Sequence, residues 1–178
     1  PFRDVDRSIP HLFLFQEVRR ALPDAFVDLA FLPTERARAE FSKHDVPYLI
    51  GTQSLRSADE FDLVLVSNAY TLELINLPYL LVHSRIPLFA SQRGPAWPVL
   101  LLGGSNALAT QAVVREDGDS LVDGIFFGEG EGRVAEIVSS LASARFAREA
   151  LRHVADQVEG LWAAGPHSLD VRVTTKAI

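Results

Sequence analysis

The sequence predicts an α/β fold built on a doubly wound, mostly parallel sheet. Short, continuously apolar segments, of the kind that forms strands covered on both faces, alternate along the chain with segments of helical periodicity. Several of the apolar segments end abruptly in glycine or small polar residues, as buried strands do where they enter a loop. Alternation of this kind is typical of a sheet with right-handed crossovers and helices on both faces.

The first third of the chain is predicted to contain two helices and two extended segments. Ser8 can cap the first helix, which holds Pro10 in its first turn, where proline is tolerated. Thr34 is a natural N-cap for the second helix, which is charged and expected to be exposed. In chain order, these elements are a helix over 8–22, a β-prone segment over 25–32, a helix over 35–43 and a short strand or extended segment over 47–50.

The remainder of the chain carries the strands expected at the centre of the sheet. Residues 61–67 give the clearest buried strand, and Pro78 should bend or shorten the helix that follows it. A later helix places Val134, Ile137 and Leu141 on one apolar face. In chain order, the predicted elements are a strand over 61–67, a helix over 71–83, strands over 86–89 and 99–102, a short helix over 107–114, a strand over 125–127, helices over 133–144 and 146–158, and extended segments over 160–162 and 170–174.

Composition excludes several classes of function. The 178 residues carry a net charge of −6, which argues against a surface built for nucleic-acid phosphates. Cysteine is absent, so this chain holds no disulfide, thiolate metal site or iron–sulfur cluster. No apolar run reaches the roughly 18 residues that a membrane span needs, and no signal peptide is visible, so a cytoplasmic protein without a membrane partner is expected. Methionine is also absent, including at the first position, which indicates a fragment.

Three strand ends carry the small residues that could form a ligand site. Glycine lets the backbone take a positive φ and approach a ligand closely. In open α/β sheets, ligands bind outside the carboxyl ends of the strands. The loop 91–97, with Arg93 and Trp97, is a candidate to fold over such a site; the alternative is that Trp97 is only a packing residue. The predicted site residues are Ser67, Asn68, Ala69 and Tyr70 after the first strand, Gly103, Gly104, Ser105 and Asn106 after the second, and Gly128, Glu129, Gly130 and Glu131 after the third.

The chemistry of these strand ends is left open by the residues alone. Glu129 and Glu131 oppose a phosphate and favour hydroxyl groups, amides or a cation, or they simply cap the helix that follows. A Gly-Gly pair is often only a turn. The histidines are scattered without metal-ligand spacing, and no nucleophile elbow, phosphate-binding loop or dinucleotide fingerprint is present. No catalytic residue and no metal ligand are therefore predicted in this chain.

Four segments together resemble a known family. They are F-D-L-V-L-V-S-N-A-Y (61–70), R-I-P-L-F-A-S-Q-R (85–93), P-V-L-L-L-G-G-S-N (98–106) and D-G-I-F-F-G-E-G-E (123–131). In this order and separation they are similar to the N-terminal cobalamin-binding-type domain of radical S-adenosylmethionine proteins, which include iron–sulfur oxidoreductases. The resemblance covers about residues 8–145, and its most specific part is G-E-G-E after D-G-I-F-F.

The resemblance implies a flavodoxin-like, Rossmann-type domain over residues 1–145, with a helical connector to a C-terminal radical domain beginning in 146–178. It implies that a corrin lies across the twelve predicted site residues. Because the lower-ligand motif D-x-H-x-x-G is absent, the cobalamin would have no protein histidine ligand. The iron–sulfur cluster and S-adenosylmethionine would belong to the C-terminal part, which is also the expected partner, together with a small-molecule substrate. Two alternatives stay open: a non-catalytic scaffold with a vestigial pocket, and a flavin- or nucleotide-binding domain.

Overall fold

A computed structural model describes residues 9–106 and 112–166 of the chain. Within these residues it contains five α-helices and four strands, joined by loops and three short 3₁₀ turns. In chain order, they are α1 (Ile9–Ala21), α2 (Glu35–Lys43), β1 (Leu63–Ser67), α3 (Asn76–His83), β2 (Val99–Gly103), β3 (Gly124–Phe126), α4 (Arg133–Ser143), α5 (Ala147–Gln157) and β4 (Leu161–Ala163), with 3₁₀ turns at Ala58–Glu60, Thr71–Ile75 and Ala90–Gln92.

The four strands form one open sheet in the order β1-β2-β3-β4. Strands β1, β2 and β3 are parallel, with Ser67 opposite Gly103 at their carboxyl ends. Strand β4 runs antiparallel to β3 and closes the other side of the sheet. The predicted α/β class with a mostly parallel sheet is therefore confirmed, and the arrangement is consistent with a flavodoxin-like fold.

Side chains alternate between two hydrophobic cores, one on each face of the sheet. On the first face, Leu100 and Leu102 of β2 pack with α3, whose Leu77 and Leu81 are buried. On the second face, residues such as Leu101 pack with α4 and α5. Continuous apolar runs can satisfy both cores because successive strand residues point to opposite faces.

The predicted strand over 86–89 is wrong, the β-prone segment over 25–32 joins no sheet, and the extended segment over 47–50 is reduced to a single bridge. Residues 25–32 and 86–89 form no sheet pairing, and in 47–50 only Ile50 pairs, with Ser57. The carbonyls of Pro87 and Leu88 instead accept hydrogen bonds from Arg93. Since β-propensity describes a fit to a neighbouring strand, an apolar segment without such a neighbour stays irregular.

The predicted helix over 71–83 is divided into a 3₁₀ turn and α3. Pro78 is the third residue of α3, where the backbone N–H of another residue would have no partner inside the helix. Pro78 therefore sits in the first turn of a helix, where it is tolerated, and does not bend a longer one.

The remaining helices agree with the predictions to within one or two residues. Thr34 caps α2 as predicted, with its Oγ1 accepting a hydrogen bond from the Ala37 N–H at 3.3 Å. The predictions for Ser8, for most of the helix over 107–114 and for the extended segment over 170–174 lie outside the described residues. Helix α5 and strand β4 pack with the same sheet as the preceding residues, and the domain boundary at residue 145 stays a prediction.

Candidate functional site

The carboxyl ends of the three parallel strands lie side by side at one edge of the sheet. The N–H of Asn68, directly after β1, donates to the carbonyl oxygen of Gly103 at 2.8 Å. A Cβ built on Gly103 would in turn lie 3.6 Å from the carbonyl oxygen of Phe126, at the end of β3. We call this edge the rim and define it as residues 67–70, 103–106 and 128–131. The structure thus brings the three segments of predicted site residues to one edge; whether they bind a ligand stays a prediction.

Glycine is required at two positions of the rim by the backbone itself. Gly104 has a φ of +118° and Gly128 a φ of +143°, a region that residues with a Cβ rarely adopt. A Cβ on Gly104 would also meet the backbone oxygen of Asn68 and lie 2.9 Å from its nitrogen. Gly104, Ser105, Gly128 and the neighbouring Glu129 are exposed, so the rim presents bare backbone to solvent.

The segment after β1 is held by a carboxylate that the sequence reading did not single out. The Glu73 Oε2 accepts hydrogen bonds from the N–H groups of Ala69 at 2.9 Å and Tyr70 at 3.2 Å. The available signal was a glutamate three and four residues after Tyr70 and Ala69, because a side chain at that spacing can reach back to free N–H groups. These two N–H groups are therefore not free to bind an anion.

Helix α1 lies beside the rim and supplies a histidine to its surroundings. The ring of Phe13 is 3.3 Å from the position that a Cβ on Gly130 would take. The His11 ring is half-buried, with its centroid 4.9 Å from that of Phe31. Burial lowers the pKa of His11 below its ordinary value, while the Glu73 carboxylate partly opposes this. His11 is therefore favoured in its neutral form at the edge of the rim.

The third segment enters α4 through Gly132, which is the N-cap and has no side chain that could cap the helix. The side chains of Glu129 and Glu131 are exposed beside it. Two carboxylates at this position make the rim acidic, which disfavours a phosphate and suits hydroxyl, amide or cationic groups.

The side chain of Asn68 has unsatisfied hydrogen-bonding capacity. The residue is only 2% exposed, and neither its Nδ2 nor its Oδ1 has a hydrogen-bond partner. Its backbone, in contrast, pairs with Gly103 and with Asn106, whose N–H lies 3.4 Å from the Asn68 carbonyl oxygen. A buried amide left unpaired costs free energy, roughly 1–3 kcal/mol per group in mutational data. Asn68 is therefore a polar group at the rim that still lacks partners.

A cavity lies at the opposite edge, near the amino ends of the strands. It has a volume of about 640 Å³ and includes Arg93, Asp123 and Arg148 in its wall. The buried Asp123 carboxylate accepts hydrogen bonds from the Leu100 N–H at 2.8 Å, from Arg93 and from Arg148. Asp123 lies at the amino end of β3, whereas the rim lies at the carboxyl ends of the strands. Because Arg93 contacts Asp123, the loop that carries Arg93 lies at the edge opposite the rim. The interpretation that this loop folds over the rim is therefore wrong.

Arg93 is a structural residue of this opposite edge. Its guanidinium donates to the carbonyl oxygens of Pro87 at 2.8 Å and Leu121 at 3.2 Å, and its Nε lies 3.3 Å from Asp123 Oδ2. Burial lowers the pKa of Arg93, and Asp123 offsets part of that effect. No signal in the sequence indicated this role, because Asp123 and Leu121 lie about 30 residues away from Arg93 along the chain.

No cluster of three or more histidine, cysteine, aspartate or glutamate side chains suited to a metal ion occurs in residues 9–106 and 112–166. Over the same two ranges, no helix combines the length and apolar character needed to cross a membrane.

An open, mostly parallel sheet with helices on both faces belongs to the α/β class and is consistent with a flavodoxin-like fold. A family model described as the N-terminal region of radical SAM proteins, the radical S-adenosylmethionine proteins, matches residues 13–163. Because this match covers most of the chain, the chain belongs to that family. Such a region accompanies a radical SAM domain in the same polypeptide. No curated protein and no solved structure matches the chain.

Proposed function

We propose that this chain positions a flat ligand at its rim for chemistry carried out by the radical SAM domain, and that cobalamin is the ligand. A substrate of that domain is the other ligand that the same surface would suit. The observation that carries the proposal is the bare backbone at three adjacent strand ends, where Gly104 and Gly128 take positive φ values. A planar ring system gains contact area on such a surface without meeting side chains.

The residues at the rim fit the periphery of a corrin, which carries several carboxamide groups. The unpaired amide of Asn68 offers both a donor and an acceptor, as a carboxamide requires. The exposed carboxylates of Glu129 and Glu131 would accept hydrogen bonds from the amide N–H groups of such a periphery. Bound cobalamin would supply a cobalt centre able to carry a methyl group, while the protein supplies binding and orientation.

In this proposal the residues of the chain have separate tasks. Gly104 and Gly128 allow the ligand to approach the backbone, because they have no side chain. A residue with a Cβ would be strained at their positive φ values. Glu73 fixes the segment after β1 through the N–H groups of Ala69 and Tyr70. No residue of the rim is assigned to the cobalt atom.

The proposal is tested by titrating the purified protein with hydroxocobalamin and following its visible spectrum. We expect saturable binding by the natural sequence and weaker binding by Ser105→Trp, because Ser105 is exposed on the rim and the larger ring would cover the bare backbone. The matched control is Ser143→Trp, which makes the same change at the exposed end of α4. Equal binding by all three proteins would place the ligand elsewhere, and no binding by the natural sequence would reject cobalamin.

A non-catalytic scaffold is the second candidate function. It is favoured by the position of the cavity of about 640 Å³, which lies at the opposite edge and has the buried Arg93–Asp123–Arg148 cluster in its wall. In this case the rim would be a vestigial pocket, and Ser105→Trp would change no ligand affinity. Activity of the full-length protein that survives without cobalamin and with Ser105→Trp would support the scaffold.

A further inference from the structure

The cavity of about 640 Å³ at the edge opposite the rim is built from three parts of the chain. Helix α5 supplies Arg148 and Arg152, which are four residues apart and therefore share one face of the helix. The segment after β4 supplies Gly165, and the loop 115–119 supplies the third part of the wall. The N–H of Gly165 donates to the carbonyl oxygen of Gly118 at 2.9 Å, which joins the second part to the third. A cavity of this volume is large enough for a small molecule.

Arg152 is a cation in this wall that has no partner. Within residues 9–106 and 112–166, its guanidinium makes neither a hydrogen bond nor an ion pair. The guanidinium lies against the backbone of Gly165, because a Cβ added at Gly165 would be only 2.9 Å from the Arg152 Cζ. A guanidinium presents its N–H donors in a planar fork that matches a carboxylate. Arg152 can therefore bind a carboxylate without giving up an existing contact.

The neighbouring Arg148 adds positive charge that is only partly compensated. Its Nη2 donates to the carbonyl oxygen of Pro98 at 2.6 Å and its Nη1 is paired with Asp123, but its buried Nε has no partner. Arg93 and Arg148 share the single carboxylate of Asp123. With Arg152, this side of the cavity carries an excess of positive charge, although the whole chain has a net charge of −6. A negatively charged ligand is favoured at such a place.

The loop 115–119 limits the charge that such a ligand can carry. It contributes two carboxylates to the wall and one guanidinium, with Asp117 Oδ2 lying 3.2 Å from Arg115 Nη2. Burial opposes the charge on Asp119, but hydrogen bonds from Ser91 and Ser120 outweigh it and hold the pKa of Asp119 below its usual range. The ionised Asp119 would repel a doubly charged phosphate more strongly than a carboxylate with a single charge.

We propose that this cavity is a binding site for a small-molecule monocarboxylate, and that Arg152 is the residue that contacts the carboxylate. The Arg93–Asp123–Arg148 cluster supplies the surrounding positive charge. Apolar residues of the wall suit a short apolar body on the ligand; they include Leu151, Ala163 and Pro166. The cavity lies at the edge opposite the rim, so this inference holds or fails independently of the ligand proposed there.

The test is fluorine NMR of the full-length protein with para-fluorobenzoate as the probe. We expect saturable broadening of the probe signal and no binding of the neutral analogue para-fluorobenzamide. Acetate should displace the probe at a lower concentration than inorganic phosphate does. Absence of saturable binding of the probe would overturn the inference. Displacement by phosphate at a lower concentration than by acetate would overturn the assignment to a carboxylate.

Variants of the full-length protein locate the bound probe. Arg152→Gln should weaken binding of para-fluorobenzoate roughly tenfold, because a hydrogen bond to a charged group is lost. Arg152→Lys should weaken it less, because the charge is kept and only the planar fork is lost. The matched control is Arg36→Gln, which removes an exposed arginine from α2 and should leave the affinity unchanged.

The same variants separate a ligand contact from a structural role of Arg152. Because Arg152 has no partner in the described part of the chain, Arg152→Gln should keep the urea unfolding midpoint of the natural protein. Equal affinity of Arg152→Gln and the natural protein would overturn the inference. A loss of binding that is accompanied by a lowered midpoint in both Arg152→Gln and Arg152→Lys would also overturn it, because Arg152 would then be a structural residue.

Discussion

Replacement of Asp123 by alanine should be the most damaging single change outside the apolar cores. The Asp123 carboxylate is the shared partner of Arg93 and Arg148, and it also accepts the N–H of Leu100. The side chains of Arg93 and Asp123 are almost completely buried. Removing one partner of a buried ion pair typically costs about 3–5 kcal/mol, because the remaining charge is buried without compensation.

The structure limits how large this loss can be. Arg93 keeps hydrogen bonds to backbone carbonyls, including that of Pro87 at 2.8 Å, and Arg148 keeps the carbonyl of Pro98 at 2.6 Å. The two guanidinium groups would thus be only partly unsatisfied, so their costs should not simply add. We expect a loss of about 4 kcal/mol, which is a large share of the roughly 5–15 kcal/mol that stabilises a typical domain.

Equilibrium unfolding in urea, followed by circular dichroism and tryptophan fluorescence, measures this loss. With a slope of about 2 kcal/mol per molar urea, the midpoint should fall by roughly 2 M. The control is Glu136→Ala, which removes an exposed ion pair with Arg133 and should cost less than about 1 kcal/mol. If both variants lose the same small amount, the buried cluster does not stabilise the fold as argued.

Two further predictions concern the rim and the segment between α1 and α2. Gly104→Ala should be clearly destabilising in thermal unfolding, because φ is +118° and the added Cβ would meet the backbone of Asn68. The control Gly94→Ala should not be destabilising, because the space around its Cβ is open. Equal stability of the two variants would refute the backbone strain at Gly104. Burial opposes the charge on Asp28, but hydrogen bonds from Ser54 and its neighbours outweigh it and hold the pKa of Asp28 below its usual range. The charged form therefore adds stability above the ordinary aspartate pKa of about 3.9, and this stability is lost as the pH falls through the depressed value. The difference in unfolding free energy between the natural protein and Asp28→Asn should shrink below about pH 4, and a difference independent of pH would contradict the assignment.

Local sequence signals were sufficient for α1, α2, α4 and α5. Thr34 provides the cap of α2, and the apolar face of α4 predicts its packing, because caps and helical periodicity act within a few residues. Strand β2 was predictable for a related reason, because an apolar run of this kind requires cover on both faces. Strand β1 was predicted correctly as a strand, but it lies at an edge of the described sheet and is only partly buried, not fully buried as predicted.

Tertiary contacts decided the conformation of the segments that were predicted wrongly. Residues 25–32 have the composition of a strand but no neighbouring strand with which to pair. At 86–89, the backbone carbonyls of Pro87 and Leu88 are taken by Arg93. Neither cause is visible in local β-propensity, which does not record whether a partner strand is present or whether a side chain takes the backbone carbonyls.

The sequence by itself determined that this is an α/β domain whose strands end in glycine, because apolar runs and glycines act through the local backbone. The sequence also indicated a resemblance to radical SAM proteins, through four segments that occur in the same order as in that family. Only the tertiary structure decided that Ser67 lies opposite Gly103, that Asn68 is buried without amide partners, and that Arg93 and Asp123 meet at the far edge. These facts depend on strand order and on contacts between distant residues, which local sequence does not encode.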